Sequence, residues 1–335
     1  MSLSPPAKPT HDVVVVGSIM QDLSFTCDRF PSSGQTIVAQ LRVGQGGKGS
    51  NQAIASGRAG ARSIFIGAVG DGSFAREALA FYQKDKIACR LVPKRGCATG
   101  TAVILLNRAG ENEIVIEPGA NARLSAADVP PALIRRAKIV VTQLESNLAT
   151  TARVLQIARR AGVPTILNPA PMRKDFKPPL LRHVDILVPN ESEFLALAEL
   201  LSPSRRPPAT VDELRAMPGE ELHSLCRDFK IPTVIVTLGD RGCFVSEPQG
   251  HRFIPAHTGL AVVDTTGAGD AFCGGFAAGF VRTGGDVIAA AHFGNAVAAL
   301  SITKPGAASS MPRPSEIRRF MGRVSSAGKR IAGLR

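Results

Sequence analysis

Tryptophan is absent and tyrosine occurs once, at Tyr82. Proteins that stack successive bases of single-stranded nucleic acid need aromatic platforms, and this chain supplies few. No stretch approaches the ~18 uninterrupted apolar residues of a membrane-spanning helix, so no membrane partner is expected. Residues 1–10 carry Pro and Ser without the apolar core of a secretory signal. Cys27, Cys89, Cys97, Cys226, Cys243 and Cys273 form no Cys-x-x-Cys pair and no metal-ligand cluster. They read as reduced thiols, which excludes a disulfide framework and a zinc site and predicts a cytoplasmic setting. A Walker A loop is also missing, because Lys48 is followed by Gly49 and not by Ser or Thr.

Charge is one-sided: 40 Lys and Arg against 27 Asp and Glu leave a net +13. The surplus is dispersed, as in Arg135-Arg136, Arg159-Arg160, Arg205-Arg206 and Arg318-Arg319, and is not gathered into one stripe. It reads as a solvated surface that attracts anionic nucleotides, and no nucleic-acid partner is expected.

What is present is an alternation. Residues 13–16 are an unbroken valine run ending at Gly17, the pattern of a strand covered on both faces. Apolar runs recur at 63–68, 139–144, 165–167, 186–188 and 234–238. Helical spacing fills 50–58, 74–82 and 151–161, and two long helices are expected at 268–282 and 286–301. Strand–helix alternation predicts an α/β fold with a mainly parallel central sheet and helices on both sides. A single domain over 11–325 follows, with 1–10 and 326–335 as flexible tails. Two stretches, about 35–45 and 99–118, break the alternation. They read as strands of a small secondary sheet, with Asn107-Arg108-Ala109-Gly110 as a hairpin connection. Residues 202–208, rich in Pro and Arg, read as a surface loop.

The chemistry concentrates at strand ends. In Asp264-Thr265-Thr266-Gly267-Ala268-Gly269-Asp270 two glycines allow a tight turn before a helix of small apolar residues. Backbone N–H groups at such a helix start suit an anion. Asp270 would stand beside it, where a carboxylate can take a proton from an attacking hydroxyl, so phosphoryl transfer is the first reading. Gly44-Gln45-Gly46-Gly47-Lys48-Gly49 satisfies a dinucleotide fingerprint formally, but that motif belongs after the first strand, which ends here at Gly17. It reads better as a backbone cradle in which Lys48 and Asn51 offer donors to sugar hydroxyls. Asp22, past the first strand, can accept two polyol hydroxyls, and Glu145 can reach the same crevice. Asn168-Pro169-Ala170-Pro171 makes a rigid turn. Asn190 and Glu193, three apart on one helical face, suit the waters of a magnesium–phosphate group; Asn190 as a simple N-cap fits equally well. Thr237-Leu238-Gly239 ends another strand.

In order and spacing these motifs, together with Thr99-Gly100-Thr101-Ala102 and Gly119-Ala120-Asn121, resemble the ribokinase family of carbohydrate kinases over residues 13–314. The resemblance implies a three-layer α/β/α domain with a β-sheet lid that forms a homodimer by clasping its twin. It implies transfer of the ATP γ-phosphate to the 5-hydroxyl of D-ribose. Asp270 matches the catalytic base, and the amides of Gly267, Ala268 and Gly269 match the anion hole. Asp22, Gly46, Gly47, Lys48, Asn51 and Glu145 match sugar positions; Asn190, Glu193, Thr237, Gly239 and Asn295 match nucleotide or magnesium-phosphate positions. An activating monovalent cation, potassium or similar, is implied at Asp264, Thr266, Ser301, Lys304, Gly306 and Ser310. Met20 stands where bacterial members carry a sugar-contacting asparagine. Relatives that act on fructose, a ketodeoxy acid, adenosine or pseudouridine are the alternatives, as is a non-catalytic regulator. The two stretches read as the lid hold no aromatic residue to stack a base, which favours a free sugar.

Overall fold

The computed structural model describes residues 11–109, 111–202 and 207–322. The tails expected at 1–10 and 326–335 and most of the 202–208 loop lie outside these. The strands are β1 (Val13–Val16), β2 (Met20–Thr26), β3 (Gln40–Gly46), β4 (Ser63–Val69), β5 (Ala88–Pro93), β6 (Thr101–Leu106) and β7 (Asn112–Glu117). After them come β8 (Ile139–Thr142), β9 (Thr165–Leu167), β10 (Ile186–Leu187), β11 (Thr233–Thr237), β12 (Gly242–Glu247) and β13 (Gly250–Pro255). The helices are α1 (Lys48–Arg58), α2 (Ser73–Asp85), α3 (Pro131–Arg135), α4 (Leu148–Arg160), α5 (Glu191–Leu201), α6 (Val211–Ala216), α7 (Gly219–Asp228), α8 (Ala268–Arg282) and α9 (Val287–Ser301).

Nine strands form one sheet in the order β13-β12-β11-β10-β9-β8-β1-β4-β5. All pairings from β5 across to β11 are parallel, and β12 and β13 close the edge as an antiparallel pair. The valine run shows why β1 lies central. Val13 and Val15 enter the core shared with α1, α2, α8 and α9, whereas Val14 and Val16 enter the core on the α4 side. Burial on both faces requires the unbroken run that replaces alternation. A third cluster, with Phe194, Leu197 and Leu225, packs α5 to α7 against β9 to β11. The expected three layers are present. No helix among the described residues is long and apolar enough to cross a membrane.

The order of strands reverses at β1: the chain runs outward through β4 and β5, then returns to β8 on the other flank. In open parallel sheets a crevice forms outside the carboxyl ends at such a point.

The second sheet has the order β3-β2-β6-β7. Here the structure departs from the expectation. The strand within the stretch expected at about 35–45 is Gln40–Gly46, and the sheet gains Met20–Thr26, where no strand was expected. Phe25 therefore belongs to the lid. Alternation places it on the face opposite Asp22 and Ser24, away from the crevice.

Helices α1 and α8 approach closely because Gly274 lacks a side chain. A Cβ there would lie 2.5 Å from Ala55 Cβ, 2.9 Å from Ser56 N and against the Gln52 carbonyl. Helix propensity alone would reward Gly274→Ala by about 1 kcal/mol, but the overlap with backbone costs more, ~1–3 kcal/mol. Urea unfolding of Gly274→Ala is expected to show net destabilisation; a net gain would mean the helices can part freely.

Candidate active site

The crevice is built first from the ends of β1 and β8. Ser18 Oγ donates to Glu145 Oε2 at 2.5 Å, joining the two strand ends across the reversal point. Glu145 Oε2 also accepts from the Lys48 N–H at 2.9 Å, which brings the start of α1 to the same place. The glycines of that loop answer specific crowding. Gly47 has φ +86, and a Cβ on it would fall 2.7 Å from Ile19 Cα; one on Gly49 would fall 2.7 Å from Ser18 N. A Cβ on Gly46 would overlap the Asp22 carboxylate. The cradle is thus glycine-rich because it lies flat on the β1–β2 connection and leaves Asp22 its space.

Asp270 stands in the first turn of α8, 6% exposed. It makes no capping bond. Its Oδ2 accepts from Asn51 Nδ2 at 2.8 Å and its Oδ1 from Gln52 Nε2 at 2.9 Å. Adjacent residues of α1 thereby fix the carboxylate plane while lone pairs remain on both oxygens. Gln52 is held in turn by Gln143 Nε2 at 2.6 Å, and its Nε2 also reaches Asn168 Oδ1 at 3.1 Å. Asn51 Oδ1 is buried without a partner. Asn51 was expected to offer donors to a sugar; with its amide on Asp270, the free atom is an acceptor.

Gly267 precedes α8 at φ +77 in the left-handed region, which turns the chain into the helix. Of the three amides expected to bind an anion, Ala268 N–H donates to Thr265 O at 3.1 Å. The N–H groups of Gly267 and Gly269 meet no acceptor among the described residues. Asp270, Gly267, Ala268 and Gly269 surround a cavity of about 170 Å³ with Lys48, Asn168, Asn190, Glu193, Thr237 and Cys273. A second cavity, about 440 Å³, opens beneath the lid between Asp22, Gly44, Asp264, Thr266 and Gly306.

Charge in the crevice is unbalanced. Burial, then Glu145 and Asp270, push the Asp22 carboxyl from its ordinary 3.8 up to about 7. Burial likewise lifts Glu145 and Glu193. Burial would lower the Lys48 ammonium, but Asp270, Glu145 and Glu193 outweigh it and raise it.

Asn190 is the N-cap of α5, not a residue on its face. Its side chain accepts from Glu193 N–H at 2.8 Å, and Glu193 returns to the Asn190 N–H at 2.9 Å, a reciprocal capping box. Both still line the smaller cavity. Gly239 and Asn295 line neither cavity: Gly239 starts a turn after β11 at φ +55, and Asn295 Nδ2 holds the Ile254 and Pro255 carbonyls at 3.3 Å.

The segments implied for a monovalent cation do meet. Asp264 Oδ1 accepts from Thr266 N–H at 2.9 Å and Oδ2 from Gly306 N–H at 2.7 Å. Ser310 Oγ donates to Ala307 O at 2.8 Å and Ser301 Oγ to Ala298 O at 2.8 Å, so both hydroxyl oxygens retain lone pairs. The Lys304 ammonium pairs with Glu316 at 2.5 Å, which leaves only its carbonyl for such a role. An oxygen-only donor set of this kind fits a hard cation. Among the described residues no group of three or more His, Cys, Asp or Glu is placed to hold a metal ion.

Sequence reasoning missed Ser18, Gln52 and Gln143. Their only local signal is a polar side chain at the end of an apolar run or inside a buried helix face.

Comparison with known proteins identifies the family. Residues 10–314 match the profile of the pfkB family carbohydrate kinases. Ribokinase of Haemophilus influenzae is 36% identical over 313 residues, 92% of this chain and 98% of that protein. Deoxyribokinase of Salmonella typhimurium is 33% identical over 314 residues, with 92% and 98% covered. The structure of Arabidopsis thaliana ribokinase complexed with ribose and ATP superposes with a TM-score of 0.80 at 29% identity, covering 93% of this chain and 98% of that one.

The charge imbalance has a measurable sign. A carboxyl raised from 3.8 to about 7 contributes stability that is present below pH ~4 and lost as pH rises through ~7. Asp22→Asn should therefore melt higher than the wild-type chain at about pH 8, with the difference closing by about pH 4. Equal melting temperatures across that range would contradict the burial of Asp22 among like charges.

Proposed function

Since the chain belongs to the pfkB family of carbohydrate kinases, we propose that it transfers the γ-phosphoryl group of ATP to the 5-hydroxyl of D-ribose, giving ribose 5-phosphate and ADP. One observation carries this reading. The Asp270 carboxylate is clamped by two amides at the start of α8, beside the open N–H groups of Gly267 and Gly269 and the Lys48 ammonium. A base and an anion-binding turn in one cavity are what an alcohol phosphotransferase needs.

In this mechanism Asp22, Glu145 and the Asn51 Oδ1 accept hydroxyl hydrogens of the sugar, and Lys48 and the Gly46–Gly47 backbone complete its cradle. Asp270 takes the proton of the attacking hydroxyl. The amides of Gly267 and Gly269, joined by Ala268 once its turn opens, hold charge developing on the moving phosphoryl group. Positioning and preorganised dipoles supply most of the acceleration. The nucleotide lies over the β11 end, toward Asn190, Glu193, Thr237, Gly239 and Asn295. Magnesium arriving with the nucleotide would neutralise phosphate charge, with Asn190 and Glu193 on its waters. Potassium at Asp264, Thr266, Ser301, Lys304, Gly306 and Ser310 would order the turn. The lid face opposite Asp22 carries Leu23, Phe25, Leu41, Val43, Val103 and Val115 by register. Val115 is 72% exposed there, which supports a homodimer clasped through the lid.

Deoxyribose is the second reading, favoured by the similarity to a deoxyribokinase. ADP release with ribose, deoxyribose, fructose and adenosine, each with and without potassium, separates the substrates. For the base, Asp270→Asn is expected to lower kcat by roughly 10²–10⁴ with ATP affinity by calorimetry little changed. Near-normal turnover in that variant would remove Asp270 from the mechanism.

A further inference from the structure

Arg58, in the last turn of α1, is a heavily engaged buried cation, and none of the steps above uses it. Its side chain is 8% exposed, and that of its partner Asp85, at the end of α2, is 3% exposed. Nε donates to Asp85 Oδ2 at 3.0 Å, and Nη2 pairs with the same oxygen. Nη1 points the other way. It donates to the carbonyls of Ala308 at 3.1 Å, Ser309 at 3.3 Å and Met311 at 2.7 Å. Residues 306–311 form neither helix nor strand; Ser310 meets the Ala307 carbonyl from within the segment, and other carbonyls take donors from outside it. One guanidinium supplies three of them.

That segment is the floor of the phosphoryl-binding turn. Gly306 N–H reaches Asp264 Oδ2 at 2.7 Å. The position a Cβ of Gly267 would take lies 3.3 Å from Ala307 Cα and Cβ and 3.5 Å from Met311 Cε. A shift of 306–311 therefore reaches the turn through the Gly306–Asp264 bond, with Gly267 close beside the segment. Helix α1 carries Lys48 and Asn51 near its start and Arg58 at its end, so one rigid element sets both the sugar cradle and this floor.

We propose that Arg58, fixed by its ion pair with Asp85, is a positioning residue for the Gly267–Gly269 turn, acting through the 306–311 segment. The proposal rests on the kinase reading of that turn. A planar fork is required: it spans a carboxylate and three carbonyls in opposite directions, which a single ammonium cannot do. Small misplacements of such groups are costly, on the order of 10²-fold in rate for about 1 Å.

The test compares wild type, Arg58→Lys and Asp85→Asn by peptide-resolved amide exchange without substrate, and by steady-state kinetics. In both variants exchange over 264–271 and 306–311 is expected to accelerate about tenfold, while β8 stays protected. The kcat is expected to fall about tenfold, with the sugar KM within about twofold. Unchanged exchange at 264–271 in folded Arg58→Lys would overturn the proposal. So would acceleration spread evenly over the chain, or a loss confined to KM. Should Arg58→Lys fail to fold, Asp85→Asn decides by the same criteria, read against Arg313→Gln, which removes only the second cation on Asp85, 3.4 Å from its Oδ1. Equal effects of the two would overturn the proposal. The exchange result needs no substrate, so it judges the brace even if the wild-type chain phosphorylates no sugar.

Discussion

Four carboxylates, Asp22, Glu145, Glu193 and Asp270, share one crevice, and three of them act on the buried Lys48 ammonium. The rest of the site is arranged around that imbalance. Burial, with the like charges of Glu145 and Asp270 beside it, pushes the Asp22 carboxyl up to about 7. Three of the four are restrained by named donors: Ser18 and the Lys48 N–H for Glu145, the α5 cap for Glu193, and two amides for Asp270. A polyol, rich in O–H donors, complements such a surface better than an anion would. In the proposed reaction the phosphate end would be met differently, by backbone N–H groups at the start of α8 and by the Lys48 charge.

The crevice exists because the sheet reverses its order at β1. The start of α1 reaches this point beyond the paired ends of β1 and β8, and glycines at 46, 47 and 49 let it lie against the connection after β1. Helices α1 and α8 then meet at Gly274, close enough for Asn51 and Gln52 to reach Asp270. Fold and chemistry are coupled at this contact: loosening the helix pair would release the carboxylate.

Much of this could be read along the chain. The valine run announced a central strand, the glycine turn announced the start of α8, and residues 268–282 are helical as expected. Local signals of this kind survive because turns and buried strands constrain their own residues. The lid strand Met20–Thr26 was less legible. Its period-2 pattern follows β1 after only three residues, and its partners β3 and β6 are distant in sequence. Asn190 offered two readings; the capping of α5 is seen directly, and the residue lines the smaller cavity as well. The amides on Asp270 left no trace at all: Asn51 and Gln52 are neighbours on α1 but lie 219 and 218 positions from Asp270, and only the α1–α8 packing brings them together.

A crystal structure of the complex with ribose and a non-hydrolysable ATP analogue tests the central claim most directly. The reacting hydroxyl oxygen is expected within hydrogen-bond reach of Asp270, about 2.6–3.2 Å, with the terminal phosphate on the Gly267 and Gly269 amides and other sugar hydroxyls on Asp22. A sugar bound away from the reversal point, with Asp270 still engaged only by Asn51 and Gln52, would contradict it.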